Sequence, residues 1–373
     1  MAWATIIGQG RVKELLQRTI THRHVAHAYL FFGPAGIGKD ALALEFAKVL
    51  NCERGESVAC DVCPSCVKAK GFQNANIHFI TALPLGKGEK QGDDPVSVLL
   101  DEQLDEYRSA LAEKSRDPYV QIELEKANFM KINSIRQIKR ETAMTLSNAG
   151  KKVFLISQAD RMNADASNSL LKTLEEPPAD TILLLTTSER NRLLPTILSR
   201  CQLIQCDPLT EEEIAQALIE RDAVDETQAK IAAELANGSY LFARELSAGN
   251  IAKEREEVVN FLRFAVSSQR LQAAQLIESL VNEREKQSLE RWLRQLQAWL
   301  REAMLLRETN EHRALASDRE AQQKFVQRYS GADLIGAIGA VEASIVHLRK
   351  NVYLQLVFLK LLAELRKHIV MTP

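Results

Sequence analysis

Over the first 207 residues, short apolar runs alternate with amphipathic segments. The runs at 29–32, 153–156 and 182–185 are apolar without period-two alternation, which suits strands buried on both faces, and 77–81 predicts another strand. Between them the spacing predicts helices over 11–20, 38–50 and 164–174, and Ile132, Ile135 and Ile138 share one helical face. This alternation predicts an α/β domain built on a parallel sheet.

One tract interrupts the pattern. At 85–117, Gly86, Gly88, Gly92 and Pro95 open a charged stretch that becomes helix-like through Leu99, Leu100, Leu104, Tyr107 and Leu111. An insertion of this kind is expected to be a mobile surface excursion. A break follows at Asp207-Pro208, where Thr210 and Glu213 have the spacing of a capping box that opens a new helix.

Residues 208–249 are too few for an independent core and read as a small helical lid ending near Gly238 and Gly249. From 250 to 373 the pattern is almost wholly helical. Trp292, Leu293, Leu296, Trp299, Leu300 and Met304 form one stripe, and Val352, Leu356, Leu359 and Ala363, running toward Arg366, form another. A bundle packing on itself is the commoner fate of such stripes, and an oligomer interface is the alternative for other faces.

Length and composition add bounds. The 373 residues suit two or three domains, and 48 Lys plus Arg against 49 Asp plus Glu give no bulk attraction for nucleic acid or membrane surfaces. Arg11, Lys13, Glu14 and Arg18 break up any secretory signal, and no run reaches the roughly 18 apolar residues of a membrane span, so a cytoplasmic protein is expected. Four of six cysteines fall between Cys52 and Cys66, a clustering that points to metal; Cys201 and Cys206 stand apart.

The strongest motif is Gly33-Pro34-Ala35-Gly36-Ile37-Gly38-Lys39, which follows a predicted strand and opens a helix. In that setting glycines turn backbone N–H groups toward phosphates and the lysine reaches the outer ones. The next residue should be Ser or Thr to hold Mg²⁺, but it is Asp40, which adds negative charge beside the phosphates. The strand at 153–156 should end in an acidic pair, yet Ser157-Gln158-Ala159-Asp160 follows, with Asp160 expected to point away from the ion. Hydrolysis is not expected, and the motif leaves binding of ATP or ADP open.

Cys52, Cys60, Cys63 and Cys66 have the spacing of a closed four-thiolate site, and zinc is preferred to an iron–sulfur cluster because the fourth cysteine lies upstream. Such a zinc would be structural.

Asn168 to Pro178 (NSLLKTLEEPP) and Ser199-Arg200-Cys201, with the cysteine module after the P-loop helix, resemble the AAA+ subunits of bacterial DNA polymerase clamp loaders. Lys39-Asp40 and Ser157-Gln158 shift the resemblance from the ATP-hydrolysing subunits toward the delta prime branch. The resemblance covers about 1–249; beyond that it extends only to helical character. It implies an AAA+ domain at 1–207, a lid at 208–249 and a collar at 250–373. It further implies a stator in a hetero-pentamer with delta and gamma or tau subunits, which places a sliding clamp on primed DNA.

Within that resemblance, Arg200 is an arginine finger for a neighbour's ATP, against the alternative of a surface ion pair. Thr186 or Thr187 takes the first sensor position. Leu241 stands where active relatives carry the second-sensor arginine, with Arg244 three residues on. In the collar, Arg349, Lys350, Lys360, Arg366 and Lys367 are interrupted by Glu342 and Glu364 and read as a solvated face. Two other functions stay in view: an active ATPase of the gamma or tau kind, and a zinc-stabilised interaction adaptor unrelated to replication.

Overall fold

The computed structural model describes residues 2–143, 150–248, 251–267, 269–284, 286–309, 318–349 and 352–370. Gly249, Lys350 and the expected boundary at 249/250 lie outside the described residues. Five strands, β1 (Ala28–Phe32), β2 (Ile77–Ile80), β3 (Lys152–Ile156), β4 (Thr181–Thr187) and β5 (Gln202–Gln205), form one sheet in the order β2-β3-β4-β1-β5. Every pairing is parallel.

Helices connect and follow the strands: α1 (Gly10–Thr21), α2 (Lys39–Leu50), α3 (Pro64–Lys70), α4 (Asp101–Arg116), α5 (Ile132–Ala143), α6 (Ala164–Glu175), α7 (Pro195–Leu198), α8 (Glu211–Asp222), α9 (Glu226–Leu235) and α10 (Tyr240–Ser247). Six more follow among the described residues: α11 (Ile251–Val266), α12 (Arg270–Glu283), α13 (Lys286–Thr309), α14 (Arg319–Arg328), α15 (Leu334–Arg349) and α16 (Leu354–Val370). The expected α/β class, a domain on a parallel sheet with a strand–loop–helix motif followed by helical segments, is the observed one.

The runs at 28–32 in β1, 153–156 in β3 and 182–185 in β4 are apolar without alternation, as in strands covered on both faces, and all of β3 and β4 is buried, including Lys152 of β3 and the threonines at the ends of β4. The edge strand β5 has no apolar run, since three of its four residues are exposed, and the sequence pattern did not predict it. Register sets Ile80 beside Ile156, Ile156 beside Leu185, and Phe32 beside Thr187. The residues just past β1, β3 and β4 are thereby brought to one end of the sheet, where ligand crevices of parallel sheets form.

The expected mobile excursion is instead packed. Leu99 and Tyr107 are buried in a cluster with Ala82, Leu83, Ile122, Leu124 and Ala127, and Leu104 and Leu111 pack against it. Its glycine-rich opening is also anchored, by a 2.6 Å ion pair between Glu89 and buried Lys131. The glycines and charges that suggested mobility therefore lie on top of a satellite core that the apolar side of α4 builds.

The chain divides into two compact units, one comprising 1–217 with 237–241 and the other 218–236 with 242–373. In the first, Thr210 and Glu213 make the predicted reciprocal capping box at α8, at 3.0 and 3.2 Å. In the second, Trp292, Leu293, Leu296, Trp299 and Leu300 are buried as their spacing predicts, and Met304 packs against them. Phe261 meets Trp292 edge-on at 5.2 Å, and buried Arg255 is paired with Glu302 and Asp318, each at 2.7 Å.

The stripe expected on α16 faces the other way. Val352, Leu356 and Leu359 are exposed, while Val357, Phe358, Leu361, Leu365 and Ile369 are buried. This helix is apolar around most of its circumference, so periodicity alone offers two stripes and packing selects one.

Candidate functional site

The segment between β1 and α2 has the strand–loop–helix form the motif requires, and Gly38 caps α2 with φ +91°. The loop is closely covered. A Cβ at Gly36 would overlap Ser239 and Leu241, and one at Gly38 would overlap the ring of Tyr119. The Leu241 N–H donates to the Gly36 carbonyl at 3.2 Å, and Tyr119 meets Tyr240 edge-on at 5.0 Å. Leu241, expected from the resemblance at the second-sensor position, sits over the loop through its backbone and has no charge to offer a phosphate.

Lys39 is turned onto its own loop. Its ammonium donates to the carbonyls of Pro34 and Gly33 at 2.5 and 3.0 Å and to the Ser188 hydroxyl at 3.0 Å. Burial lowers its pKa to about 8, against the opposing charges of Asp40 and Asp160.

Asp40 extends from the first turn of α2 and its carboxylate meets donors only. The hydroxyls of Ser157 and Thr186 donate to it at 2.6 Å each, and the Lys114 ammonium lies at 3.2 Å. Burial favours the neutral acid, but the Lys114 charge and these hydrogen bonds outweigh it and hold the carboxyl below its usual value. Of the two threonines that the resemblance offers for the first sensor, Thr186 donates to Asp40 and Thr187 donates to Asp160, each at 2.6 Å.

The sequence reading missed Lys114, Tyr119, Ser188 and Ser239. A signal for Lys114 was present, because positions 104, 107, 111 and 114 fall on one helical face and three of them are apolar. A charged residue in such a stripe must find a buried partner.

The four cysteines expected to bind metal come together: their sulfurs all lie within 4.8 Å of one another. Backbone N–H groups of Cys60, Cys63 and Cys66 point at the sulfurs of Cys52, Cys60 and Cys63, at 3.3 to 3.4 Å. N–H donation from Val62 and Cys63 lowers the Cys60 thiol pKa to about 6, while burial raises that of Cys66. Four converging sulfurs with amide donors fit a four-coordinate metal ion. Cys201 and Cys206 are buried singly, and burial pushes each thiol up to about 12.

Arg200 follows the short helix α7, which Pro195 opens at its first turn. Its side chain is 35% exposed, paired with Glu175 at 2.9 Å, and donates to the Thr196 carbonyl at 3.0 Å. The surface ion pair weighed at the sequence level is present, and it leaves the guanidinium edge in reach of solvent.

The chain matches the family described as "DNA polymerase III, delta subunit" over residues 8–210. It is 32% identical over 252 residues to DNA polymerase III subunit delta' of Bacillus subtilis, covering 67% of this chain and 63% of that one. It is 32% identical over 263 residues to the subunit delta' of Pseudomonas aeruginosa, covering 68% and 65%. The chain thus spans just under two thirds of the length of these relatives. DNA polymerase III subunit tau of Bacillus subtilis is 28% identical over 246 residues, covering 65% and 36%. Among solved structures, a DNA polymerase III gamma subunit-related protein of Thermotoga maritima aligns over 95% of this chain and 99% of its own, with a TM-score of 0.44 and 15% identity. With the nucleotide loop, the cysteine cluster and Arg200 all inside the matched span, the chain belongs to the clamp-loader family described as DNA polymerase III, delta subunit, on its delta prime branch.

Proposed function

We propose that this chain is a stator subunit of a DNA polymerase III clamp loader, without ATP turnover of its own, that donates Arg200 to the ATP of a neighbouring subunit. The observation that carries this reading is the state of Asp40. Its carboxylate is held by Ser157, Thr186 and Lys114, so the loop offers no free acceptor for Mg²⁺ where phosphoryl transfer needs one. Arg200, by contrast, is partly exposed and has one carboxylate to exchange for a phosphate.

The partners in this reading are delta and gamma or tau subunits in a hetero-pentamer, with the sliding clamp and primed DNA reached through the complex. Residues 1–207 act as the AAA+ domain, 208–249 as a lid and 250–373 as a collar; the exposed Tyr353, Leu356 and Leu359 support an oligomer contact there. Cys52, Cys60, Cys63 and Cys66 hold a structural zinc. Elemental analysis is expected to find one zinc per chain, lost in Cys66→Ser.

Reconstitution with the ATPase and clamp-opening subunits tests the central claim. With Arg200→Ala, assembly is expected to persist while DNA-stimulated ATP turnover falls about tenfold or more. Unchanged turnover overturns the role in trans, and loss of assembly makes Arg200 structural. A second reading, an ATP-hydrolysing subunit, has the identity to a tau subunit in its favour. It requires turnover by the isolated chain.

A further inference from the structure

The excursion between β2 and α5 delivers one charge to the nucleotide loop. Lys114, in the last turn of α4, has a side chain with no exposed surface. Its ammonium meets Asp40 Oδ2 at 3.2 Å and the carbonyls of Val120 and Pro118 at 2.7 and 3.3 Å, and it lies 5.5 Å from the centre of the Phe79 ring. Asp40 also accepts from Ser157 at Oδ2 and from Thr186 at Oδ1. Each partner of this carboxylate is therefore a donor. A divalent ion needs lone pairs, and a fixed ammonium 3.2 Å from the Asp40 carboxylate repels it. The residues do not fit magnesium.

We propose that the Lys114 ammonium is a tethered cation standing in the electrostatic place of magnesium beside the nucleotide loop, so that the 85–117 excursion closes this site from within the chain. The pair is neutral as a unit, which leaves no charge to recruit a second cation. The excursion is committed to this position, because Tyr119, five residues beyond Lys114, is 2% exposed against Gly38 and accepts the Ile7 N–H at 2.6 Å. Removing the ammonium while keeping Asp40 leaves one carboxylate and two hydroxyls that can rotate their lone pairs inward. That set of oxygens suits a hard divalent ion. The proposal concerns this chain's own loop and holds whether or not Arg200 acts in trans.

The test is thermal melting of the full chain in MgCl₂ against NaCl at matched ionic strength, for wild type, Lys114→Met and the double variant Lys114→Met with Asp40→Asn. The wild-type midpoint is expected to be the same in both salts. Lys114→Met is expected to melt lower and to regain several degrees in millimolar Mg²⁺, since an ion that binds only the folded state raises its midpoint. The double variant is expected to lose that response. A wild-type midpoint raised by Mg²⁺, or a folded Lys114→Met indifferent to it, overturns the proposal.

Should Lys114→Met fail to fold, titration of wild type with a fluorescent ATP analogue decides. Equal affinity with and without Mg²⁺ supports the tethered cation, and no binding in either overturns it. Binding about tenfold tighter with Mg²⁺ overturns it.

Discussion

Around the nucleotide loop the charged groups are held several times over: Lys39 by two carbonyls and a hydroxyl, Asp40 by two hydroxyls and an ammonium, Lys114 by a carboxylate and two carbonyls. Arg200, on the same α/β unit, has one carboxylate and one carbonyl and is about one third exposed. Both regions carry motif residues of the family, but they differ in what a phosphate would have to displace. At the loop it would have to break a buried network whose members cannot be solvated once separated. At Arg200 it would exchange one wet ion pair for another. The first region is thus held together as a buried network, while the second presents an exchangeable, partly exposed ion pair.

The contrast breaks most visibly at Asp40. Asp40→Ala strands the Lys114 ammonium in the interior and is expected to cost about 3–5 kcal/mol in urea unfolding of the whole chain. A loss under about 1 kcal/mol would mean that the loop network is as exchangeable as the surface pair.

Next comes Lys39, whose folded pKa of about 8 lies below its ordinary 10.5. Between these pH values the unfolded chain binds more protons, so stability rises with pH by at most about 3 kcal/mol. Relative to Lys39→Met, the wild-type urea midpoint should climb from pH 8 to 10.5, and a falling difference would contradict the burial of this ammonium.

Gly38→Ala, at φ +91° and against Tyr119, is expected to cost about 1–3 kcal/mol. A neutral result would show that the Tyr119 cover yields easily.

Smallest is Glu175→Ala, which removes the partner of Arg200 and is expected to change stability by less than about 1 kcal/mol. A larger loss would make that pair a structural element and remove the contrast with the loop.

Much of this was legible because it depends on neighbours in sequence. The strand–loop–helix setting of Gly33 to Lys39, the capping box of Thr210 and Glu213, and the convergence of Cys52, Cys60, Cys63 and Cys66 all follow from residues close along the chain. The losses at Asp40 and Ser157 were also legible, but their outcome was not. Asp40 and Ser157 are 117 positions apart, and Thr186 is 146 from Asp40, so only strand register brings the three together. The packing of the 85–117 excursion is hidden in the sequence because glycines and charges dominate its composition, whereas it is decided by the few apolar residues of α4.

The sequence by itself determined the α/β class, the phosphate-type loop, the cysteine set and the apolar face of α13, since each is written in local spacing. Only the tertiary structure decided that Lys114 answers Asp40, that Thr186 rather than Thr187 turns to it, and which side of α16 is buried. A period or a turn is a property of a few adjacent residues. The partner of a buried charge, or which of two apolar stripes a helix hides, is chosen by whichever distant segment packs against it.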